Sequence, residues 1–471
     1  MPKLLSASLA LALAVPAVAL ADPASDIEAL RRDIATLRAD YEARLQALEQ
    51  RLKAAESATP AATATASATA PAPVPAPLPA AAPAPQATAA APASGGGANS
   101  FNPAVSLILS GLYAHTALDP ANYSISGIAL PPDAQVGPGT RGLSLSETEL
   151  AFSASIDPWL RGAVNIALEP DNSVSVEEAF IQTTSLGNGF SLKAGRFFSG
   201  LGYLNSQHSH TWDFVDAPLA YQAFLGTQFG DDGLQLTWLA PSDTFIELGA
   251  EVGRGRSFPG NQSGGNGAGA SVLTAHLGGD IGESHSWRAG LSVLNAHDSD
   301  QSLVQTNVAG DAVTNSFSGR TRVWVADAVW KWAPNGNATR TNFKLQGEYL
   351  HSDRQGTLVY DVAQTASPGS LSAAQSGWYV QGIYQFIARW RVGLRTERLD
   401  PGTPDYGVNA PLLASTGYKP RKDSLMLDFS PSEFSRLRLQ FAQDRARQGQ
   451  SDPQWFLQYQ ASLGAHGAHS Y

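Results

Sequence analysis

The sequence predicts an all-β fold, a transmembrane antiparallel β-barrel of about sixteen strands, and three observations carry that expectation. From about residue 104 onward short segments alternate apolar and polar side chains, tight and long turns alternate between them, and tryptophans sit near segment ends. A strand turns successive side chains to opposite faces, so a chain written with period two has one oily wall and one wet wall. In the last segment Trp455, Leu457, Tyr459, Ala461 and Leu463 share one face, opposite Phe456, Gln458, Gln460 and Ser462. Between Arg320 and Ala333, Trp324, Ala326, Ala328, Trp330 and Trp332 fall on one side, the spacing two interfacial girdles require. A soluble sandwich has no use for that arrangement.

Composition narrows the class. Only 15% of the 471 residues are charged, cysteine is absent, methionine numbers 2, and glycine (44) and tryptophan (10) are plentiful, which suits tight turns and aromatic belts. A net charge of −10 argues against a nucleic-acid partner. After the N-terminus no apolar run is long enough for a spanning helix, so a membrane-resident product must cross with strands.

The elements read in order as follows. Lys3, the apolar run Leu4 to Leu20 and the Ala19-Leu20-Ala21 ending predict a signal peptide over residues 1–21. Residues 22–56 predict a periplasmic coiled coil: Ile27, Ile34, Tyr41 and Leu48 recur every seven residues, Leu30 and Leu37 complete the heptads, and the second series slips one place to Leu45 and Leu52. The alternative is a solitary amphipathic helix. Residues 57–100, almost wholly Ala, Pro, Thr and Ser, predict a disordered linker with a reach on the order of 140 Å when extended. Residues 101–471 are the barrel, its first strand beginning at Ala104 and its last ending at Leu463. Tight turns are expected at Asp157-Pro158, Gly187-Asn188-Gly189, Pro241-Ser242-Asp243, Gly282-Glu283, Pro334-Asn335-Gly336, Ile387-Ala388 and Pro431-Ser432-Glu433. With the coiled coil left in the periplasm of a Gram-negative cell, every tight turn faces the periplasm and the longer loops face outward.

If the apolar faces meet lipid, the opposite faces line a lumen whose charges are segregated. Glu147, Glu149, Glu247 and Glu251 point inward from early strands, and Arg391, Arg395, Arg436 and Arg438 from late ones. Such a wall can impose a transverse field on a passing solute, or can consist of paired ions that only stabilise a polar interior. Both readings stay open.

The alternation fails for roughly thirty residues from Gly195-Arg196-Phe197-Phe198-Ser199-Gly200 through His208-Ser209-His210-Thr211-Trp212-Asp213-Phe214-Val215-Asp216-Ala217-Pro218-Leu219. A stretch that long invites a functional reading. It resembles the outer-membrane porin superfamily, especially the phosphate-selective (O/P-like) porins, in which a Gly-Arg/Lys-Phe strand end leads into a long loop with an Asp-Phe element. Ala217-Pro218 stands where that family carries an arginine before the proline, and a dense lysine cluster is missing. The resemblance implies a passive outer-membrane channel for small polar or charged solutes, narrowed by the 198–231 loop with Arg196, His208, His210, Trp212, Asp213 and Asp216 at the constriction.

His208 and His210 with Asp213 also have the donor types of a transition-metal site, and an H-x-H pair on extended chain points both rings one way. The preferred reading is that the histidines and Trp212 pack the loop inside the barrel. His466 and His469 could join a metal site if the C-terminal tail folds toward it. Expected partners are outer-membrane lipid, two further copies in a homotrimer, and peptidoglycan through the coiled coil. No cofactor and no catalysis are expected, since nothing resembles a nucleophile elbow. The rival functions are a TonB-dependent-like receptor for a metal or other ligand and an outer-membrane to cell-wall tether.

Overall fold

The computed structural model describes residues 103–184, 186–261, 265–413 and 415–464. The expected signal peptide, coiled coil and linker, and the tail holding His466, His469 and Tyr471, lie outside them. The strands are β1 (Ala104–Thr116), β2 (Gly142–Leu145), β3 (Thr148–Ser155), β4 (Leu160–Leu168), β5 (Val174–Thr183), β6 (Phe190–Phe198), β7 (Gly230–Leu239) and β8 (Phe245–Gly253). They continue as β9 (Ala270–Ile281), β10 (His285–Thr306), β11 (Ala312–Trp332), β12 (Asn342–Tyr360), β13 (Ser367–Ile387), β14 (Trp390–Asp400), β15 (Arg421–Ser432), β16 (Ser435–Arg445) and β17 (Asp452–Gly464). β2 and β3 both pair with β1 and are two halves of one stave broken at Ser146-Glu147, so the described wall has sixteen staves. β17 pairs β1 antiparallel, with Tyr113 opposite Leu457, and the sheet closes. Closure leaves no strand edge, which makes a wall of this kind stable in hydrocarbon. This is the architecture of a transmembrane β-barrel.

The seven tight turns expected from sequence each join consecutive strands, and all fall at one end of the barrel. Their chemistry is local. Asp157 accepts from the Trp159 and Leu160 amides at 2.7 and 2.8 Å, and Asn188 (φ 51°) and Asn335 (φ 52°) take the left-handed conformation that asparagine tolerates. The opposite end carries the long connections, and there β10 to β13 run 19 to 22 residues, well beyond the roughly 9–11 a membrane crossing needs.

The two faces differ as the alternation dictates. Outward positions along β7 to β17 expose Leu236, Leu248, Leu273, Leu277, Leu291, Leu345, Val380, Leu394, Leu425, Leu439 and Leu457. Near the tight-turn end these grade into aromatics: Trp330 meets Phe343, and Trp390 stacks on Phe429 with centroids 4.6 Å apart. Toward the long-loop end Trp324, Tyr349 and Trp378 form a second ring, Tyr349 lying opposite Trp378 in register.

The interior is filled chiefly by the connection between β6 and β7, residues 199–229, which turns into the barrel. Its short helix α1 (Leu219–Leu225) is wholly buried and ends at Gly226 in the left-handed conformation, a helix stop that glycine takes without strain. Leu201, Leu219, Tyr221 and Leu225 pack against the inward side chains Val272, Leu294, Val323, Val325, Leu350 and Tyr379. Ile125, Ile128 and Leu130 of the β1–β2 connection join the same core.

Candidate functional site

The inturned loop is held at both ends and along its length. Asn205, fully buried, donates to the carbonyls of Ser199 and Phe229 at 2.9 and 2.8 Å and accepts from the Phe229 amide, closing the neck of the loop. Glu251 of β8 accepts from the Gly200 amide at 2.8 Å. On the far wall, Glu348 of β12 gathers four donors: the Tyr203 and Leu204 amides at 3.2 and 3.0 Å and the hydroxyls of Tyr221 and Tyr379 at 2.8 and 2.7 Å. Gly202, at φ 67°, allows this approach, because a Cβ there would lie 2.3 Å from Glu348 Oε2.

Beyond this neck the loop crosses between two oppositely charged arcs. Its histidines meet the acidic one. His208 Nδ1 lies 3.2 Å from both Glu149 Oε2 and Glu177 Oε2, and its Nε2 lies 3.0 Å from Glu178 Oε2 and 3.0 Å from the Asn165 amide. His210 Nδ1 lies 3.1 Å from Glu149 and 3.4 Å from Glu147. The rings stack at 5.6 Å, although the segment is not extended as expected: Ser209–Thr211 form a 3-10 turn that starts at His208. Burial acts to lower both imidazole pKa values, but hydrogen bonds to the surrounding glutamates outweigh it and raise them, His208 well above its ordinary value.

Three residues later the loop's aspartates meet the basic arc. Asp213 bonds Lys344, Arg391 at 3.2 Å and the Gln381 amide at 3.0 Å. Asp216 bonds Arg395 at 2.8 Å, Gln440 at 2.9 Å and Lys422. Between them Arg436 and Arg438 donate to the backbone carbonyls of His210 and Trp212 at 2.7 and 2.9 Å, and Arg395 lies over the Phe214 ring at 4.5 Å. The arc supplies its own counter-ions, Asp428 to Arg391 and Arg438 and Glu397 to Arg395. For Asp213 and Asp216 burial works to raise the pKa, and the facing lysines and guanidiniums more than reverse it, holding both carboxyls below the usual range.

Glu149, Glu251, Arg391, Arg395, Arg436 and Arg438 thus all engage the loop, and Glu147 does so from the break between β2 and β3. Glu247 instead pairs with His276 at 3.2 Å. Three expectations are corrected. Asp213 does not share a cluster with the histidines, because the chain leaves the 3-10 turn Ser209–Thr211 through extended Trp212 and carries it to the lysine and arginine side. Arg196 is not a loop residue but part of β6, where Asp232 holds its guanidinium at 2.7 and 3.3 Å. The loop itself spans 199–229 rather than 198–231. Sequence reasoning missed Glu177, Glu178, Glu348 and Lys422. The adjacent Glu177-Glu178 pair was a usable signal, since two consecutive charges break period two, and the β4–β5 register does shift beside it.

No protein-family model matches the chain. The fold is similar to the outer membrane channel DcaP of Acinetobacter baumannii (14% identity, TM-score 0.45, covering 76% of this chain and 96% of that one). It is also similar to OprB of Pseudomonas putida (14% identity, TM-score 0.46, 77% and 94%) and to an anion-selective porin from Comamonas acidovorans (12% identity, TM-score 0.44, 77% and 99%). In sequence the chain is 32% identical over 351 residues to an uncharacterized protein of Aquifex aeolicus (strain VF5), the match covering 70% of each. At that identity and coverage the chain belongs to one family with the Aquifex aeolicus protein.

Proposed function

We propose that the chain is an outer-membrane channel for passive diffusion of small polar or charged solutes, narrowed by the inturned loop 199–229. The observation that carries this reading is the band on the outer wall. On β11 Trp324 and Trp330 are six residues apart, about 20 Å along the strand at roughly 3.4 Å per residue. That is close to the ~25 Å apolar belt of outer-membrane barrels. Beyond Trp324 the outward positions become Arg322 and Arg320, so the belt has an edge. Exposed leucines this numerous around a whole wall match a hydrocarbon solvent and not water. Inside, the charged arcs favour polar solutes over oily ones.

The test is conductance of the purified full chain in planar bilayers. Discrete open steps are expected, with ion selectivity that changes when charges on either arc are altered. A protein that inserts and never conducts would overturn the channel and leave the tether as the better account. The seven-residue apolar repeat within residues 22–56 supports a homotrimer with its N-terminal segment in the periplasm. Sedimentation of the full chain in detergent should give three copies, and deletion of residues 22–56 should weaken that assembly.

A further inference from the structure

The acidic end of the loop holds more than an anchor needs. Four carboxylates, Glu147, Glu149, Glu177 and Glu178, surround two imidazoles, and one ligand atom from each of Glu147, Glu149, His208 and His210 lies within 4.8 Å of the others. Glu149, with a side chain only 5% exposed, places Oε2 between the two Nδ1 atoms, 3.2 and 3.1 Å from them and well aligned with neither N–H. One buried carboxylate oxygen shared by two imidazole nitrogens is the geometry in which a single cation can be held by all three groups.

We propose that Glu147, Glu149, His208 and His210 bind one divalent transition-metal ion of the zinc class, joining loop 199–229 to the wall at the β2–β3 break. Two imidazole nitrogens and two carboxylate oxygens are a donor set for such ions, whereas calcium and magnesium take oxygen alone. The surroundings fit. With Nδ1 of His208 toward the metal, its Nε2 is already placed to donate to Glu178, the outer carboxylate that typically fixes the tautomer of a metal-bound histidine. The stave breaks at Ser146-Glu147, so Glu147 leaves the ladder, while its two-residue spacing from Glu149 keeps both carboxylates on the inner side. Metal binding displaces the protons the imidazoles share with the carboxylates, as at other histidine sites. The inference goes beyond the channel reading and does not depend on it.

The experiment is calorimetric titration of the metal-stripped full chain in detergent with Zn²⁺, with metal analysis after dialysis and visible absorption after Co²⁺ substitution. One ion per chain and a tetrahedral-type Co²⁺ spectrum are expected. His208→Gln with His210→Gln keeps amide donors for the glutamates and removes both nitrogen ligands. Since losing a single supporting contact costs about 10–100-fold in affinity, this double variant should lose at least about 100-fold. Glu149→Gln should also lose the Co²⁺ spectrum, and Asp243→Asn, exposed in the tight turn between β7 and β8, should leave Zn²⁺ binding unchanged. Absence of stoichiometric Zn²⁺ binding in the parent protein overturns the proposal. So does undiminished binding in the double histidine variant, which would assign the metal to other histidines. Because no readout is a current, failure of the channel reading leaves this result interpretable.

Discussion

Among single residues, Glu348 has the widest consequence, since one carboxylate receives two loop amides and two tyrosine hydroxyls. Leaving a buried donor without its acceptor costs about 1–3 kcal/mol. Glu348→Gln keeps the shape and one acceptor oxygen, so its cost should be about 1–3 kcal/mol in denaturant unfolding from lipid vesicles, with faster amide exchange at Tyr203 and Leu204. A Gly202→Val change attacks the same contact from the loop side and should cost at least as much, because its Cβ has no room. The residue scale is also where sequence misled. Asp213 and His210 look like neighbours in a motif, but the chain exits the 3-10 turn Ser209–Thr211 at Trp212 and sets them against opposite charged arcs. Adjacency along the chain is no guide to which wall a side chain reaches once a loop crosses a lumen.

At the scale of the loop, the charge order His, His, Asp, Asp mirrors the wall, acids on one side and cations on the other. A densely paired buried network of this kind fixes geometry, because removing one partner strands the other. Asp213 faces Lys344, Gln381, Arg391 and Arg438, and Asp216 faces Arg395, Glu397, Lys422 and Gln440, with Lys422 also 3.7 Å from Asp444. Both aspartates have folded-state pKa values below the unfolded value of about 3.9, so their attachment contributes fully above that pH and is lost only as pH falls through the lowered values. Single-channel conductance should therefore show no loosening attributable to these groups from about pH 4 upward, and a rise in stronger acid. Asp213→Asn with Asp216→Asn should conduct more at neutral pH and lack the acid step. An unchanged acid step in that variant would place the titration elsewhere. The loop's existence, length and polar chemistry were legible because it breaks period two for thirty residues. Its landing points were not, because they depend on where the closed wall brings β2, β3, β5 and β12 to β16.

For the whole molecule, the barrel, its sixteen staves and the end carrying the tight turns followed from alternation and turn residues, which are local signals repeated many times. Arg196 shows the limit of that reading: the pattern fades at Gly195, yet β6 runs on to Phe198 before the chain turns inward. The lengths of β10 to β13 were likewise hidden, because their outer faces become polar above the Trp324, Tyr349 and Trp378 ring while the strands themselves continue. The outer belt makes its own prediction. Brominated acyl chains should quench tryptophan emission strongly in vesicles, and Trp324→Ala with Trp378→Ala should remove a large part of that quenching with the fold intact by circular dichroism.

The loop's ties to β16 set the order in which the protein would come apart under tension. Gripped by its C-terminus and drawn out of a bilayer, a plain barrel surrenders hairpins one after another at similar forces. Here the first hairpin, β16 with β17, carries Arg436, Arg438 and Gln440, which hold the His210 and Trp212 carbonyls and the Val215 amide. Extraction must shear the strut away before the first pair of staves can leave, so the opening rupture should be the tallest in the trace.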